Sequence, residues 1–180
     1  MSATNLTDAI ETILNNSGAD KKVTIDFKNI SISSGAPKLT EGCELTLKGT
    51  YTSAAEAFII GSNDTFIIHN EADITTSSYV IRRSSNAKNS TAIFEQNGGT
   101  VESADVFFMY ENDVISLKKG TIIGNVFGNG GTGRVEIIGG TWNGQLSYVK
   151  DIDIYGGQLN NTKDDTSTIA AIKECEEVSI

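Results

Sequence analysis

Two acidic residues, Glu136 and Asp153, hold the same position in two successive copies of a short motif, at 135–141 and 152–158. If the copies stack as parallel strands, the two carboxylates lie about 5 Å apart. That separation is compatible with paired carboxylate catalysis and with a weak calcium site. Solvated surface carboxylates are the favoured interpretation, because Arg134 is assigned to a turn and no arginine is expected beside the pair. The outward column is expected to read Thr46, Ile67, Glu95, Ser116, Glu136 and Asp153.

Three basic residues, Arg82, Arg83 and Lys88, form the one basic cluster of an acidic chain and fall in its longest polar turn. Polar turns also occupy the corresponding places in neighbouring repeats. Turns that extend one edge of a solenoid often mark its binding side. The cluster is therefore a candidate contact for a glycan or a surface protein, with a solvated loop as the alternative. The four polar turns are 61–64, 82–90, 110–113 and 128–134.

The histidine and the two cysteines indicate little chemistry. His69 falls at the end of a short strand and is expected to be a surface or turn residue. It has no cysteine or second histidine nearby, which argues against a zinc site. Cys43 and Cys175 lie about six repeats apart, roughly 29 Å. They cannot form a disulfide, which needs Cα atoms within about 7 Å.

Aromatic residues recur once per repeat in the strand that precedes each polar turn. Facing inward they would form a stacked core ladder, and facing outward a flat platform for sugar rings. Both orientations stay open, because the segment 106–109 offers an aromatic on each face. Trp142 stands where other repeats carry an aliphatic residue, and it is expected in the core. The recurrent aromatics are Phe58, Tyr79, Phe107 or Phe108, Phe127 and Tyr148.

A repeat of about 22 residues organises the chain from residue 23 onward. One motif recurs seven times in one orientation, with a short strand, a glycine corner and further short strands. Antiparallel hairpins would not reuse a motif in one orientation, whereas the rungs of a parallel β-helix do. We therefore expect an all-β fold, a right-handed single-stranded parallel β-helix of about 7–8 rungs. Positive φ angles or tight bends are expected at Gly49, Gly99, Gly120, Gly140 and Gly157.

An amphipathic helix over 5–16 precedes the repeats and is expected to cap the first rung. Asn5 is a candidate N-cap, and Gly18 is placed to end the helix. The division is therefore 1–22 for the capping helix and linker, and 23–180 for the β-helix. The apolar face consists of Leu6, Ala9, Ile10, Ile13 and Leu14.

The composition narrows the class of partner. The 180 residues include 23 acidic and 14 basic ones, for a net charge of −9. Nucleic-acid binding relies on clustered Lys and Arg and is not expected. No apolar run approaches the roughly 18 residues of a membrane-spanning helix. The first residues lack the regions of a secretory signal, and the chain stops on an apolar strand. We therefore expect that the chain is a piece of a longer extracellular or cell-surface protein, or that another copy of the chain covers its C-terminal end.

This pattern resembles the pectin-lyase-like β-helix superfamily, in which a helix of Asp-Ala-Ile type precedes the strand that opens the first coil. Here Thr7-Asp-Ala-Ile10 precedes Val23-Thr-Ile25. The tandem Ile-x-Gly-Gly-Thr motifs also resemble repeat regions of large surface proteins of gut Firmicutes and of autotransporter-like adhesins. The resemblance covers nearly the whole chain and implies architecture rather than chemistry. Family enzymes would use calcium-binding carboxylates with an Arg or Lys base, or clustered aspartates with a histidine, and neither set is recognised in the sequence.

We therefore expect a non-catalytic module of a bacterial secreted or surface protein, an adhesion module or stalk that contacts glycans or proteins. No cofactor is expected beyond the weak calcium site, and the oligomeric state stays open. One alternative is a polysaccharide lyase or glycoside hydrolase, which needs three or more carboxylates with an Arg or Lys on one outward face. Another is a trimeric phage tail-fibre or tailspike segment. The candidate ligand-binding residues are Arg82, Arg83, Lys88, Glu136 and Asp153.

Overall fold

In the computed structural model, which describes residues 1–161 and 171–180, one helix precedes a series of parallel strands. The helix, α1, spans Ala3–Asn16. The strands are β1 (Lys22–Ile32), β2 (Lys38–Leu39), β3 (Cys43–Ser53), β4 (Phe58–Ile60), β5 (Thr65–Asn70), β6 (Asp73–Thr76), β7 (Ile81–Arg83), β8 (Thr91–Gln96), β9 (Thr100–Met109), β10 (Val114–Leu117), β11 (Thr121–Ile137), β12 (Thr141–Asn143), β13 (Leu146–Ile154), β14 (Gln158–Asn160), β15 (Ile172–Lys173) and β16 (Glu177–Ser179).

Every strand pairing in the described ranges is parallel, and the strands stack into three faces of a solenoid of about 7 turns. The first face stacks β1, β3, β5, β8, β10, β11, β13 and β16. The second face stacks β1, β3, β6, β9, β11, β12 and β14. The third stacks β2, β4, β7, β9, β11, β13 and β15. The parallel β-helix expected from the repeat is confirmed.

Alternation along each strand builds the core. On the first face every second side chain points inward, and equivalent residues of successive turns stack in columns. Two inward polar residues, Asn70 and Gln96, interrupt one column, and they are hydrogen-bonded to each other at 2.9 Å. Asn70 also donates to the carbonyl of Ala72 at 3.0 Å, which satisfies its buried amide. The main inward column consists of Leu45, Ile68, Phe94, Ile115, Val135 and Ile152, each at most 1% exposed.

The helix caps the first turn as expected, with two differences in detail. Leu6, Ile10 and Leu14 are buried, but Ala9 is exposed and Ile13 is 42% exposed. A single helix needs only one apolar stripe to cover the end of a narrow solenoid, which leaves Ile13 outside it. The N-cap is Ser2, whose Oγ accepts a hydrogen bond from the Asn5 N–H at 3.1 Å. The helix therefore begins two residues before the predicted start.

The glycine corner joins the first face to the second. Gly99, Gly120, Gly140 and Gly157 have φ angles of +63°, +83°, +74° and +79°. A β-carbon there would meet the backbone of the preceding turn, because the turns stack at the corner with no room for a side chain. The corner that the sequence predicts is confirmed, Gly49 with φ +84° included.

The recurrent aromatics divide between the interior and the surface. Phe58 and Phe107 point inward and are buried, whereas Phe108 and Tyr148 are each 38% exposed. A single ladder with one orientation is therefore wrong, because β9 places consecutive aromatics on opposite sides of the strand. Trp142 lies in the core, as predicted, at 0% exposure.

Both cysteines are free thiols, in agreement with their predicted separation. Burial raises the pKa of the Cys43 thiol to about 12, so it stays protonated and unreactive. Within the described residues, α1 is too short and too polar to cross a bilayer.

Candidate functional site

The polar turns between the third and first faces line one edge of the solenoid, as the sequence suggests. Arg82 and Arg83 are exceptions, because they belong to β7 and not to the turn that follows it. The predicted turn 128–134 is another, because it lies within β11. The turn after β7 contacts the turn of the preceding repeat, where the Asn89 N–H donates to Asn63 Oδ1 at 3.0 Å. Consecutive turns along this edge are therefore in direct contact.

A buried ion pair fixes the floor of this edge. The side chains of Arg83 and Asp113 are only 4% and 5% exposed, and their guanidinium and carboxylate are hydrogen-bonded. Arg83 Nε donates to Ser90 Oγ at 2.7 Å, and the guanidinium carbon lies 4.5 Å from the centre of the Tyr110 ring. One guanidinium thus holds together two consecutive turns.

The Asp113 carboxylate is shared among three donors. Besides Arg83, the backbone N–H groups of Ala92 and Tyr110 each donate to it at 2.8 Å. Burial raises the pKa of Asp113, and the Arg83 charge and the backbone N–H groups oppose that shift. The carboxylate connects the start of β8 to the turn at 110–113, so it positions the neighbouring Tyr110 backbone.

A cleft of about 450 Å³ opens above this floor. Within the described residues, the side chains of Lys88, Glu111 and Asn112 and the hydroxyl of Tyr110 make no hydrogen bond or ion pair. These groups offer an ammonium, a carboxylate, an amide and a phenol to the same space. Hydrogen-bond donors and acceptors that have no partner in the protein can bind a polar ligand. The lining residues are Lys88, Asn89, Ser90, Tyr110, Glu111, Asn112, Asn129 and Thr132.

The three predicted basic contacts do not form one cluster. Arg83 is sequestered in the buried ion pair, and only Lys88 lines the cleft. Arg82 points away from the interior and binds Glu56 at 2.8 Å. Tyr110 and Asp113 are not among the residues that the sequence predicts for a site. Asp113 could have been found from the sequence, because a buried arginine requires an acidic partner and Asp113 lies one repeat after Arg83.

The acidic pair lies elsewhere, on the outer surface of the first face. Glu136 and Asp153 are neighbours in the ladder, as predicted. The assignment of Arg134 to a turn is wrong, because Arg134 lies in β11 and pairs in the ladder with Asp151. Its Nη2 lies 2.8 Å from Asp153 Oδ2 and 3.0 Å from Glu136 Oε1.

This acidic face contains a cation and several carboxylates together. A shallow depression of about 260 Å³ there is lined by Arg134, Asp151, Ile152, Asp153 and Glu177. The hydrogen bond to Asp153 raises the pKa of the Arg134 guanidinium, which therefore does not act as a base. The same guanidinium binds oxygens of the Glu136 and Asp153 carboxylates, which paired carboxylate catalysis would use. A substrate would therefore have to displace Arg134 from them.

The predicted outward column is wrong at one position. His69, and not Ile67, stacks between Thr46 and Glu95. The His69 ring lies between two carboxylates, with Nδ1 2.8 Å from Glu95 and Nε2 3.3 Å from Glu44. A lysine binds each of these carboxylates in turn. Lys22 lies 2.7 Å from Glu44, and Lys118 lies 2.8 Å from Glu95. Ion pairs of the two lysines and hydrogen bonds of His69 thereby link five consecutive turns along the first face.

Lowering the pH is expected to weaken the contacts that Glu95 makes with Lys118 and His69. Burial opposes ionisation of Glu95, but hydrogen bonds from Lys118 and His69 outweigh it, so its pKa lies below the ordinary 4.5. A lowered pKa contributes stability that is present above the ordinary value and is lost as pH falls through the folded-state value. Denaturant unfolding should show wild type more stable than Glu95→Gln by less than about 1 kcal/mol near neutral pH. That advantage should disappear in acid.

The matched control is Glu102→Gln, which alters an exposed carboxylate that makes no ion pair within the described ranges. Its difference from wild type should not change with pH in the same way. A Glu95→Gln difference that stayed constant from neutral pH into acid would contradict the assignment.

Among the described residues, no group of three or more His, Cys, Asp or Glu is arranged to hold a metal ion. The weak calcium site stays a prediction.

Comparison of the chain with protein-family models, with curated proteins and with solved structures finds no match.

Proposed function

We propose that this chain is a non-catalytic β-solenoid module that binds glycans in the edge cleft, and that it serves as an adhesion module or stalk in a bacterial secreted or cell-surface protein. A pectin-lyase-like ancestry is part of the same proposal and rests on the sequence resemblance alone. The observation that carries the proposal is the set of unpaired polar groups above a rigid floor.

Sugars suit such a cleft for chemical reasons. A pyranose carries hydroxyl groups that both donate and accept hydrogen bonds, and it has an apolar C–H surface that packs on aromatic rings. Asn112, Lys88 and the Tyr110 hydroxyl provide complementary donors and acceptors. The buried Arg83–Asp113 pair holds Tyr110 and Ser90 in place before binding, which lowers the entropic cost of association.

The direct test is a glycan-array screen of the purified chain, with and without calcium. We expect Lys88→Ala and Asn112→Ala each to lower affinity roughly fivefold to tenfold, as for the loss of a ligand hydrogen bond. Lys119→Ala is the matched control, because Lys119 is an exposed lysine at the glycine corner. Absence of binding to any glycan, or equal loss with the control, would contradict the proposed cleft function.

A polysaccharide-cleaving enzyme is the second candidate, favoured by one observation. Arg134 contacts Glu136 and Asp153, and Asp151 and Glu177 lie beside them on the same face. This is the arrangement of carboxylates and a cation that the enzyme alternative requires. Release of reducing or unsaturated ends in the same screen would support it. Loss of that release in Glu136→Gln and Asp153→Asn would assign the reaction to this face.

A further inference from the structure

Three aromatic side chains lie on successive turns of the third face, next to the cleft. Phe108 pairs in register with Phe127, and Phe127 pairs with Ser147, the residue before Tyr148. Phe108 and Tyr148 are each 38% exposed, and Phe127 is half-buried. Phe108, Phe127 and Tyr148 together are called the aromatic strip below.

The core does not need these rings. The inward positions of the same strands are filled by Phe107, Val126 and Leu146, all buried. Large apolar groups left on a surface in an ordered row indicate an interaction site.

The aromatic strip is continuous with the cleft. The Phe108 ring meets the Tyr110 ring edge to face, with centroids 5.8 Å apart and planes at 71°. Tyr110 lines the cleft. A ligand seated in the cleft beside Tyr110 can therefore extend onto Phe108, the neighbouring ring of the aromatic strip.

We propose that the cleft and the aromatic strip bind an extended oligosaccharide of three or more sugar units that runs along the solenoid axis, with one end of the chain in the cleft. This inference rests on the proposed function and specifies its ligand. The strip carries one ring per turn, and the strands that carry the rings are about 4.8 Å apart. A linear glycan presents an apolar ring surface at regular intervals along its length. A single terminal sugar would use the cleft and leave the aromatic strip bare.

The test is isothermal titration calorimetry with cello-, xylo- and N-acetylchito-oligosaccharides and oligogalacturonides of increasing length, from one sugar unit upward. In the series that binds, affinity should rise at least about tenfold between the monosaccharide and the tetrasaccharide and then level off. Phe108→Ala and Phe127→Ala should each remove about tenfold of the affinity for the long oligosaccharide, and Phe127→Ala should leave the monosaccharide affinity unchanged.

The matched control is Tyr155→Ala, which removes an aromatic that is 70% exposed at the end of β13, away from the aromatic strip. If an alanine variant fails to fold, Phe108→Leu and Phe127→Leu keep the apolar volume and remove only the ring surface. Affinity that is independent of length, or strip variants that bind the long oligosaccharide like wild type, would overturn this inference and leave glycan binding standing. Failure of every series to bind wild type would overturn the proposed function and this inference with it.

Discussion

Replacing Gly120 by alanine should destabilise the solenoid by about 3 kcal/mol or more. Gly120 has φ +83°, a conformation that costs an L-residue about 1–2 kcal/mol by itself. The added methyl group would also meet the carbonyl of Gly99 and the backbone of Gly98 well inside van der Waals contact. Those atoms belong to the preceding turn, which cannot move aside without breaking its own ladder.

Gly130→Ala separates these two effects. Gly130 has a similar φ of +73°, but a β-carbon there has no neighbour within 4 Å. This variant should lose only about 1–2 kcal/mol, the conformational part of the cost. Denaturant unfolding of the two variants against wild type measures the difference. Equal losses would mean that close stacking at the corner contributes nothing to stability.

The corner is also the part of the fold that the sequence predicts best. Glycine is the residue that a positive φ requires, and its recurrence before threonine marks the same bend in successive turns. The sequence alone therefore predicts the bends at Gly99, Gly120 and Gly140. The capping helix was predictable for a similar reason, because Leu6, Ile10 and Leu14 repeat with the helical period.

The register was harder to predict, and His69 shows why. The segment 66–68 was aligned with 45–47, whereas the structure pairs Leu45 with Ile68 and Thr46 with His69. The error is two residues. Because side chains alternate with period 2, a shift of two leaves the inward and outward sets unchanged. Hydrophobic pattern alone therefore cannot detect it, and the partner of Glu95 was missed.

The site was predictable only in outline. The polar turns share one edge of the solenoid, as predicted, but the sequence did not show that Arg83 turns inward while Arg82 turns outward from the same strand. Arg134 was missed because the glycine-rich segment before it looks like a long turn, although β11 continues through that segment to Ile137. Such details depend on contacts between turns that are about 20 residues apart in sequence.

Removing the Asp113 carboxylate should have the second large effect, a loss of about 3–5 kcal/mol in Asp113→Ala. The variant leaves the Arg83 guanidinium buried without a counter-charge, and it leaves the N–H groups of Ala92 and Tyr110 without their acceptor. Arg82→Ala is the matched control. Its side chain is 55% exposed and its Glu56 partner 11% exposed, so the loss should be clearly smaller than in Asp113→Ala, where both side chains are buried.

A double replacement distinguishes stability from function at this position. Arg83→Met with Asp113→Leu removes both charges, and it should recover part of the stability lost in Asp113→Ala, because no charge is then buried alone. The glycan affinity of this double variant should be lower than that of wild type. Tyr110 loses the acceptor of its N–H and the cation beside its ring, so the floor of the cleft is no longer fixed. Denaturant unfolding and calorimetry on the same preparations measure both quantities. Full recovery of binding would show that the ion pair only stabilises the fold and does not position the cleft.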